Sequence, residues 1–199
     1  MTQTEREYYD RRAPEYDDWY LGTGLFEQRV RPGWTGELAA LKAALAALCF
    51  GTVLDVACGT GFLTASLRGD VTGLDQSASM LAVARQRVPH GAFLRGDALQ
   101  LPFRSKQFDF LMAAHFYGHL DQPARLRFLS EARRVSKSML FIDAAKRGDI
   151  PDEEHQERVL NDGSRHVVYK RYFTPEGLSS EIGATRTLHS GRWFVAVLA

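Results

Sequence analysis

The sequence predicts an α/β fold, namely a doubly wound, Rossmann-like sheet of mostly parallel strands covered by helices. Short apolar, often β-branched runs alternate with longer segments of helical spacing, and the runs are apolar on both faces. Such runs are typical of parallel strands between two helical layers, and the alternation is typical of doubly wound folds. The predicted strands are Thr52–Ala57, Val71–Asp75, Ala92–Gly96, Phe108–Ala114 and Met139–Ala144.

Two segments between these strands are predicted to be helices, Ser77–Val88 and Pro123–Ser136. Each carries apolar residues three and four positions apart, which is the spacing of one helix face. Ser77 is suited to cap the first helix, and Asp121 with Pro123 suits the first turn of the second.

The regions before and after this core have a different character. Residues 1–50 are expected to form a helical arm, with aromatic and charged residues over 8–20 and an Ala/Leu helix at Glu37–Leu48. Residues 146–173 read as an insertion with a helix near Glu153–Leu160 and a turn at Asn161–Gly163. We expect the arm and the insertion to form a lid over the core, residues 51–145.

The tail, residues 174–199, predicts a helix and two strands. Thr174 is a suitable cap and Pro175 a suitable first residue for the helix. The strands Arg186–His189 and Trp193–Leu198 would complete a seven-stranded sheet with an antiparallel C-terminal strand. A chain of 199 residues fits one domain of this kind.

The charge balance and the cysteine content argue against some classes of function. Lys and Arg number 25 against 24 Asp and Glu, so the net charge of +1 gives no broad basic surface for nucleic acid or anionic lipid. The two cysteines, Cys49 and Cys58, form no disulfide framework and favour a reducing compartment. We expect a cytoplasmic monomer or homodimer that acts on a small molecule, with neither nucleic acid nor a membrane as partner.

The most informative segment is the loop after the first strand, Asp55-Val56-Ala57-Cys58-Gly59-Thr60-Gly61. A buried strand runs into a Gly-x-Gly turn, which we expect to lead into a helix, and the glycines let the backbone approach a ligand closely. Asp75 lies twenty residues after Asp55, at the end of the second strand, where a carboxylate can accept hydrogen bonds from two ribose hydroxyls. The pattern predicts a cofactor that contains adenosine.

Two residues distinguish among such cofactors. A dinucleotide-binding loop prefers a small third residue where this chain has Thr64. Asp55 would repel a pyrophosphate, but it would suit a ligand that carries an ammonium and a sulfonium. After the third strand, Gly96-Asp97-Ala98 offers a carboxylate and a backbone amide for the edge of adenine.

With these features in order, residues 50–145 resemble the class I S-adenosylmethionine-dependent methyltransferases, most closely the ubiquinone/menaquinone-biosynthesis type. Further matching segments are Gln76-Ser77, Leu101-Pro102-Phe103, Phe108-Asp109 and His119-Leu120-Asp121. The segment Tyr9–Asp17 is similar to the helix that closes over the methionine part of the cofactor in small-molecule members. One departure is Ser136-Lys137-Ser138 in place of a Pro-Gly-Gly turn, for which we expect a local loop change.

The resemblance implies S-adenosylmethionine as cofactor and S-adenosylhomocysteine as product. It assigns Asp55, Ala57, Gly59 and Gly61 to the methionine part, Asp75 to the ribose, Gln76, Met80, Asp97 and Ala98 to adenine, and His115 to the sulfonium. Tyr9, Arg12 and Tyr16 have the spacing of one helix face if Pro14 is accommodated, and Arg12 could bind the cofactor carboxylate.

The function we expect is methyl transfer to a small-molecule acceptor by in-line displacement at the methyl carbon. A general base, where one is needed, is predicted among His115, His119 and Tyr169. No third ligand accompanies the two histidines, so no metal is expected. The alternatives are an NAD-dependent oxidoreductase and a non-catalytic S-adenosylmethionine-binding module.

The sequence leaves the acceptor open, together with the choice among N-, O-, S- and C-methylation. The basic pairs Arg165-His166 and Lys170-Arg171 could recognise an acidic acceptor, but an exposed strand face is the favoured interpretation.

Overall fold

The computed structural model describes residues 3–199, apart from the side chains of residues 3–5 and of Phe50. The helices are α1 (Gln3–Arg12), α2 (Asp18–Leu21), α3 (Trp34–Ala46), α4 (Ala78–Arg87), α5 (Gln122–Val135) and α6 (Pro175–Ile182). The strands are β1 (Cys49–Val56), β2 (Arg68–Asp75), β3 (Ala92–Arg95), β4 (Phe108–Ala114), β5 (Ser136–Ala144), β6 (Glu153–Val159), β7 (Arg165–Arg171), β8 (Arg186–Ser190) and β9 (Phe194–Leu198).

Seven strands form one sheet in the order β3-β2-β1-β4-β5-β9-β8. Strands β1 to β5 pair in parallel, whereas β9 is antiparallel to both of its neighbours, β5 and β8. The predicted fold class is therefore confirmed. The strand order reverses between β1 and β4, and in open α/β sheets ligands bind at the carboxyl ends of the strands next to such a reversal.

The sheet is buried on both faces, as its apolar strands predicted. Along β4, Phe110 and Met112 pack into the layer formed with α3, while Leu111 and Ala113 pack into the layer formed with α5 and α6. This two-sided core fixes the position of the strand ends that carry the site.

The insertion departs from the prediction, because Glu153–Leu160 is not helical. Glu153–Val159 is strand β6, and it pairs with β7 in a separate two-stranded hairpin. Exposure alternates from residue to residue along β6, and its inner positions are the polar residues Glu154, Gln156 and Arg158. A strand with a polar inner face lacks the apolar alternation that identifies most strands from sequence. The predicted turn at Asn161–Gly163 is present as the hairpin loop, where Gly163 has a φ of +81°.

The helix expected after the glycine loop is also absent. Only the short 3-10 turn Thr64–Ser66 follows the loop, because β2 already begins at Arg68. The tail matches its prediction: the Thr174 side chain accepts a hydrogen bond from the Gly177 amide and caps α6, and β8 and β9 follow. Within residues 3–199, no helix has the length and apolar character needed to cross a membrane.

Candidate cofactor and acceptor site

A cavity opens at the carboxyl ends of β1, β2 and β4, beneath α1 and β7. It encloses about 880 Å³ of empty space, including its mouth. Its lining residues come from the arm, the strand ends, the turn after β4 and the hairpin. They are Arg6, Tyr8, Tyr9, Tyr16, Ala57, Gly59, Leu74, Asp75, Gln76, Ser77, Met80, Gly96, Ala98, His115, Phe116, His119, Leu120, Val167, Val168 and Tyr169.

The glycine loop forms the floor of this cavity in an unusual backbone conformation. Ala57, Gly59 and Gly61 have φ values of +56°, +54° and +74°, in the region that favours glycine. Gly59 faces the cavity below the ring of Tyr16. Gly61 instead faces α4, where a Cβ would lie 3.3 Å from the Cα of Ala84. One glycine thus leaves room for a ligand, and the other lets α4 pack against the loop.

Asp75 lies beside this loop with its carboxylate held by two amides. Its Oδ2 accepts from the Gly59 N–H and its Oδ1 from the Ser77 N–H, each at 2.9 Å. Burial raises the pKa of Asp75. Each carboxylate oxygen can accept a further hydrogen bond, so the side chain is fixed at the cavity wall and can still receive two hydroxyls.

Asp55 lies at the end of β1 and is only 2% exposed. Its Oδ2 accepts a 2.5 Å hydrogen bond from the Thr64 hydroxyl, whereas its Oδ1 is buried without a partner. Burial raises the pKa of Asp55 to about 7. The small pocket at Asp55 shares Tyr16 and Ala57 with the main cavity. An unpartnered buried carboxylate oxygen at this position fits an ammonium group of a ligand.

The residues assigned to adenine divide into two groups. Gln76, Met80 and Ala98 line the cavity, and Ser77 orders this wall by capping α4 through the Met80 N–H at 3.1 Å. Asp97 is exposed and lies outside the lining, and its Oδ1 accepts from the Leu99 N–H at 2.9 Å. Asp97 therefore stabilises its own turn.

The arm residues Tyr9, Arg12 and Tyr16 lie above the loop. Tyr9 and Tyr16 line the cavity. Arg12 is 8% exposed, donates to the Tyr8 hydroxyl and lies 5.1 Å above the centre of the Tyr16 ring. The chain passes Pro14 in a 3-10 turn, so these residues share one side of the arm without forming one continuous helix.

Two carboxylates attach the arm to the core. Asp10 accepts from the Ser77 hydroxyl at 2.5 Å. Asp17 accepts from the Thr60 hydroxyl at 2.6 Å and pairs with Arg87. The arm is thus held over the glycine loop and the start of α4.

Among the three candidate bases, His119 has the most defined protonation state. Its Nδ1 lies 2.7 Å from the carbonyl oxygen of Tyr169, which can only accept, so in the neutral ring Nδ1 carries the hydrogen and Nε2 is the acceptor. Burial, with a further contribution from the charge of Lys170, lowers the pKa of His119 to about 3. His119 is therefore neutral near pH 7, with Nε2 able to accept a hydrogen bond.

His115 and Tyr169 are placed differently. His115 is buried among the rings of Trp19, Tyr20 and Phe194, its Nε2 has no partner, and burial lowers its pKa to about 4. The Tyr169 hydroxyl donates to Glu153 at 2.7 Å on the outer surface. Burial, together with this bond, raises the pKa of Tyr169.

A buried ion pair beneath the histidines was missed in the sequence. Lys170 on β7 contacts Asp143 on β5 at 2.5 Å, and Asp143 also accepts from the Gly118 N–H at 2.7 Å. Although Asp143 is fully buried, the charge of Lys170 holds its pKa below the usual range. The pair fixes the turn that carries His119. The sequence did contain one sign of this ion pair, because Asp143 is a lone carboxylate within the apolar run Met139–Ala144.

Comparison with known proteins identifies the same core. Residues 53–139 match the methyltransferase domain family. A 2-phytyl-1,4-naphtoquinone methyltransferase of Trichormus variabilis is 35% identical over 153 residues, which are 69% of this chain and 62% of that protein. A demethylmenaquinone methyltransferase of Thermotoga maritima is 41% identical over 90 residues, 43% of this chain and 38% of that protein. The matches thus span less than two thirds of these relatives.

Solved structures extend the similarity to nearly the whole chain. The DhpI-SAM-HEP complex has a TM-score of 0.76 and 24% identity, and covers 99% of this chain and 96% of that one. The DhpI-SAH complex has a TM-score of 0.69 and 25% identity, and covers 98% of this chain and 94% of that one. The sheet order, the carboxylates of the cleft and these matches agree: the chain carries a class I S-adenosylmethionine-dependent methyltransferase domain.

Proposed function

We propose that this protein transfers a methyl group from S-adenosylmethionine to a small-molecule acceptor. The observation that carries the proposal is a pair of carboxylates at the ends of adjacent strands, Asp55 on β1 and Asp75 on β2, with Asp75 bonded to the Gly59 amide. Asp55 has a free buried oxygen for the cofactor ammonium, and Asp75 has acceptor positions for the ribose hydroxyls. Gln76, Met80 and Ala98 provide a wall for adenine between β2 and β3.

The same site disfavours a nicotinamide dinucleotide. A pyrophosphate is held by the N-terminus of a helix that follows the glycine loop, but here the loop is followed only by the turn Thr64–Ser66. Asp55 would place a negative charge beside the anion. The oxidoreductase alternative therefore lacks its main binding element.

The chain's own residues would bind, orient and shield the reactants. S-adenosylmethionine supplies a methyl group already activated by the positive sulfur, so alignment is the main requirement. Tyr9 and Tyr16 above and Val168 at the side exclude water from the cavity. The Nε2 of His119 can accept a hydrogen bond from a hydroxyl or amine of the methyl-accepting substrate. This bond would turn the lone pair of the substrate atom toward the methyl group. This acceptor-side group favours an enzyme over a module that only binds the cofactor.

The acceptor is proposed to be small, because the arm and the hairpin both cover the cavity. The names of two relatives give 2-phytyl-1,4-naphtoquinone and demethylmenaquinone as the compounds that those proteins methylate. We also propose a cytoplasmic setting, consistent with the free thiols of Cys49 and Cys58. We further propose that the protein is a monomer or a homodimer and that it does not bind nucleic acid.

Calorimetric titration with S-adenosylhomocysteine tests the cofactor assignment. The wild-type protein should bind it, and Asp75→Ala should bind at least tenfold more weakly because the ribose loses its acceptors. Asp70→Ala is the matched control, since Asp70 is an exposed carboxylate on the same strand. Tighter binding of NAD⁺, or unchanged affinity in Asp75→Ala, would overturn the proposal. Transfer of labelled methyl to a compound in a metabolite extract separates the enzyme from a binding module.

A further inference from the structure

Two arginines next to the cavity lining carry more positive charge than the single carboxylate of the cofactor can neutralise. Arg12 comes from α1 and Arg158 from β6, and among the side chains that the structure describes neither forms an ion pair with a carboxylate. Arg12 is bonded to the Tyr8 hydroxyl. Arg158 donates from Nη2 to the Gln156 side chain, and its Nε is buried without a partner.

The hairpin register places Arg158 next to the cavity. Arg158 lies opposite His166, and the adjacent pair on the same face is Gln156 with Val168, a lining residue. The His166 ring lies 4.9 Å from the ring of Tyr8, another lining residue. The charge of Arg158 also contributes to lowering the pKa of His119 and opposes the rise in the pKa of Tyr9, so the guanidinium is close to both.

The two arginines come from different elements but are neighbours, since the charge of Arg12 contributes to lowering the pKa of Arg158. Arg12 is above the Tyr16 ring, and Tyr16 lies over Gly59, so Arg12 is on the cofactor side. Arg158 is on the hairpin, on the side of His119. The cofactor has one carboxylate, which Arg12 can receive. Arg158 then remains a desolvated cation that forms no ion pair among the described side chains, although its charge contributes to lowering the pKa of Glu154.

A desolvated guanidinium is stabilised by an anion that accepts two parallel N–H bonds. Carboxylate and phosphoryl groups both have this geometry. Glu154 lies on the same face of β6 as Arg158, but its Oε1 accepts hydrogen bonds from Tyr172 and Gln156 and the carboxylate forms no ion pair with Arg158. The unpartnered Nε–H of Arg158 therefore points to an oxyanion that comes from a ligand.

We propose that the methyl acceptor carries an oxyanion, a carboxylate or a phosphoryl group, that Arg158 binds while His119 contacts the group to be methylated. This proposal rests on the proposed function, since it names the acceptor class of the same site. It differs from the sequence-based interpretation of the basic pairs. Of these, Arg165 is exposed and pairs with Glu157, and Lys170 is buried against Asp143.

The test uses the full chain saturated with S-adenosylhomocysteine and titrated by calorimetry with inorganic phosphate and, separately, with acetate. We expect at least one anion to bind, and the stronger one identifies a phosphoryl or a carboxylate acceptor. Arg158→Gln should weaken this binding at least tenfold, and Arg158→Lys should retain part of it. The affinity for S-adenosylhomocysteine should stay within twofold in both variants, which also shows that they fold.

Arg165→Gln is the matched control, because Arg165 lies on the outer face of the same hairpin, and its anion binding should equal that of wild type. Binding of neither anion to the loaded protein, or equal binding by wild type and Arg158→Gln, would refute the oxyanion site. Failure to bind S-adenosylhomocysteine would instead refute the proposed function. The two failures are thus distinguished in one series of titrations.

Discussion

Asp55 shows at the residue scale how an incomplete hydrogen-bond set indicates a ligand. A buried carboxylate with one oxygen bonded to Thr64 and the other unpartnered is costly as an anion, and this cost raises its pKa to about 7. A cationic group next to Oδ1 would favour the ionised form. Cofactor binding and the ionisation of Asp55 should therefore be coupled.

We predict that the affinity for S-adenosylhomocysteine falls as the pH drops from 7 to 5. In the free protein Asp55 is mostly protonated in this range, so binding of the ammonium must release a proton, and the affinity approaches a tenfold loss per pH unit. Titration calorimetry in two buffers of different ionisation enthalpy measures both the affinity and the proton release.

Asp55→Asn is the control for this coupling, since it keeps the shape and removes the titration. The variant should bind more weakly than wild type at pH 7 and show a flat pH profile. A flat profile in the wild-type protein, with no proton released, would place the ammonium elsewhere.

At the scale of secondary-structure elements, the hairpin β6–β7 supplies residues that line the site and support His119. It brings Tyr169 to the cavity, and its Lys170 is joined to Asp143 beneath His119. The ion pair is almost fully buried, with side chains 6% and 0% exposed. Removal of one partner of such a pair leaves an uncompensated charge, which costs far more than the pair itself contributes.

We predict that Lys170→Met lowers the free energy of unfolding by about 3–5 kcal/mol, measured by urea denaturation. The double variant with Asp143→Asn should recover at least half of this loss, because the unpaired charge is removed and the Gly118 amide keeps an acceptor. Arg165→Gln, an exposed change on the same strand, should stay within about 0.5 kcal/mol of wild type. A loss below about 1 kcal/mol for Lys170→Met would mean that Asp143 is solvated or protonated.

Sequence reasoning succeeded where a local pattern determines the structure. The strands of the sheet follow from apolar runs, and α4 and α6 begin at their predicted caps, Ser77 and Thr174. It failed for Glu153–Leu160, because the inner face of β6 is polar although it is partly buried. Arg158 was missed for the same reason. The pairing of Lys170 with Asp143 joins residues 27 apart and depends on hairpin placement, which no local pattern encodes.

At the scale of the whole molecule, distant parts of the chain meet to cover one cavity. The arm and the hairpin loop contact each other, since the Asn161 N–H donates to Glu15 at 2.8 Å and Arg11 lies 3.5 Å from Asp162. The cover removes water from the histidines below. Burial is accordingly the largest cause of the lowered pKa values of His115, about 4, and His119, about 3.

These buried rings should make the stability of the whole molecule depend on pH. Near neutral pH the histidines are neutral in both the folded and the unfolded chain and contribute no difference. Below pH 6.5 the unfolded chain takes up a proton at each ring, whereas the folded chain does so only near pH 4 and 3, so stability is lost as the pH falls. The raised pKa of Asp55 acts in the opposite sense, because there the folded chain holds the extra proton.

We therefore predict that His119→Gln flattens the pH dependence of unfolding between pH 6 and 5. One titrating ring contributes up to about 1.4 kcal/mol per pH unit, and the contribution of Asp55 cancels when the variant is compared with wild type. Urea denaturation at half-unit pH steps gives both slopes. His90→Gln is the matched control, since His90 is exposed and should leave the wild-type slope unchanged. Equal slopes for His119→Gln and wild type would show that water reaches His119 and that the arm and the hairpin do not close the cavity.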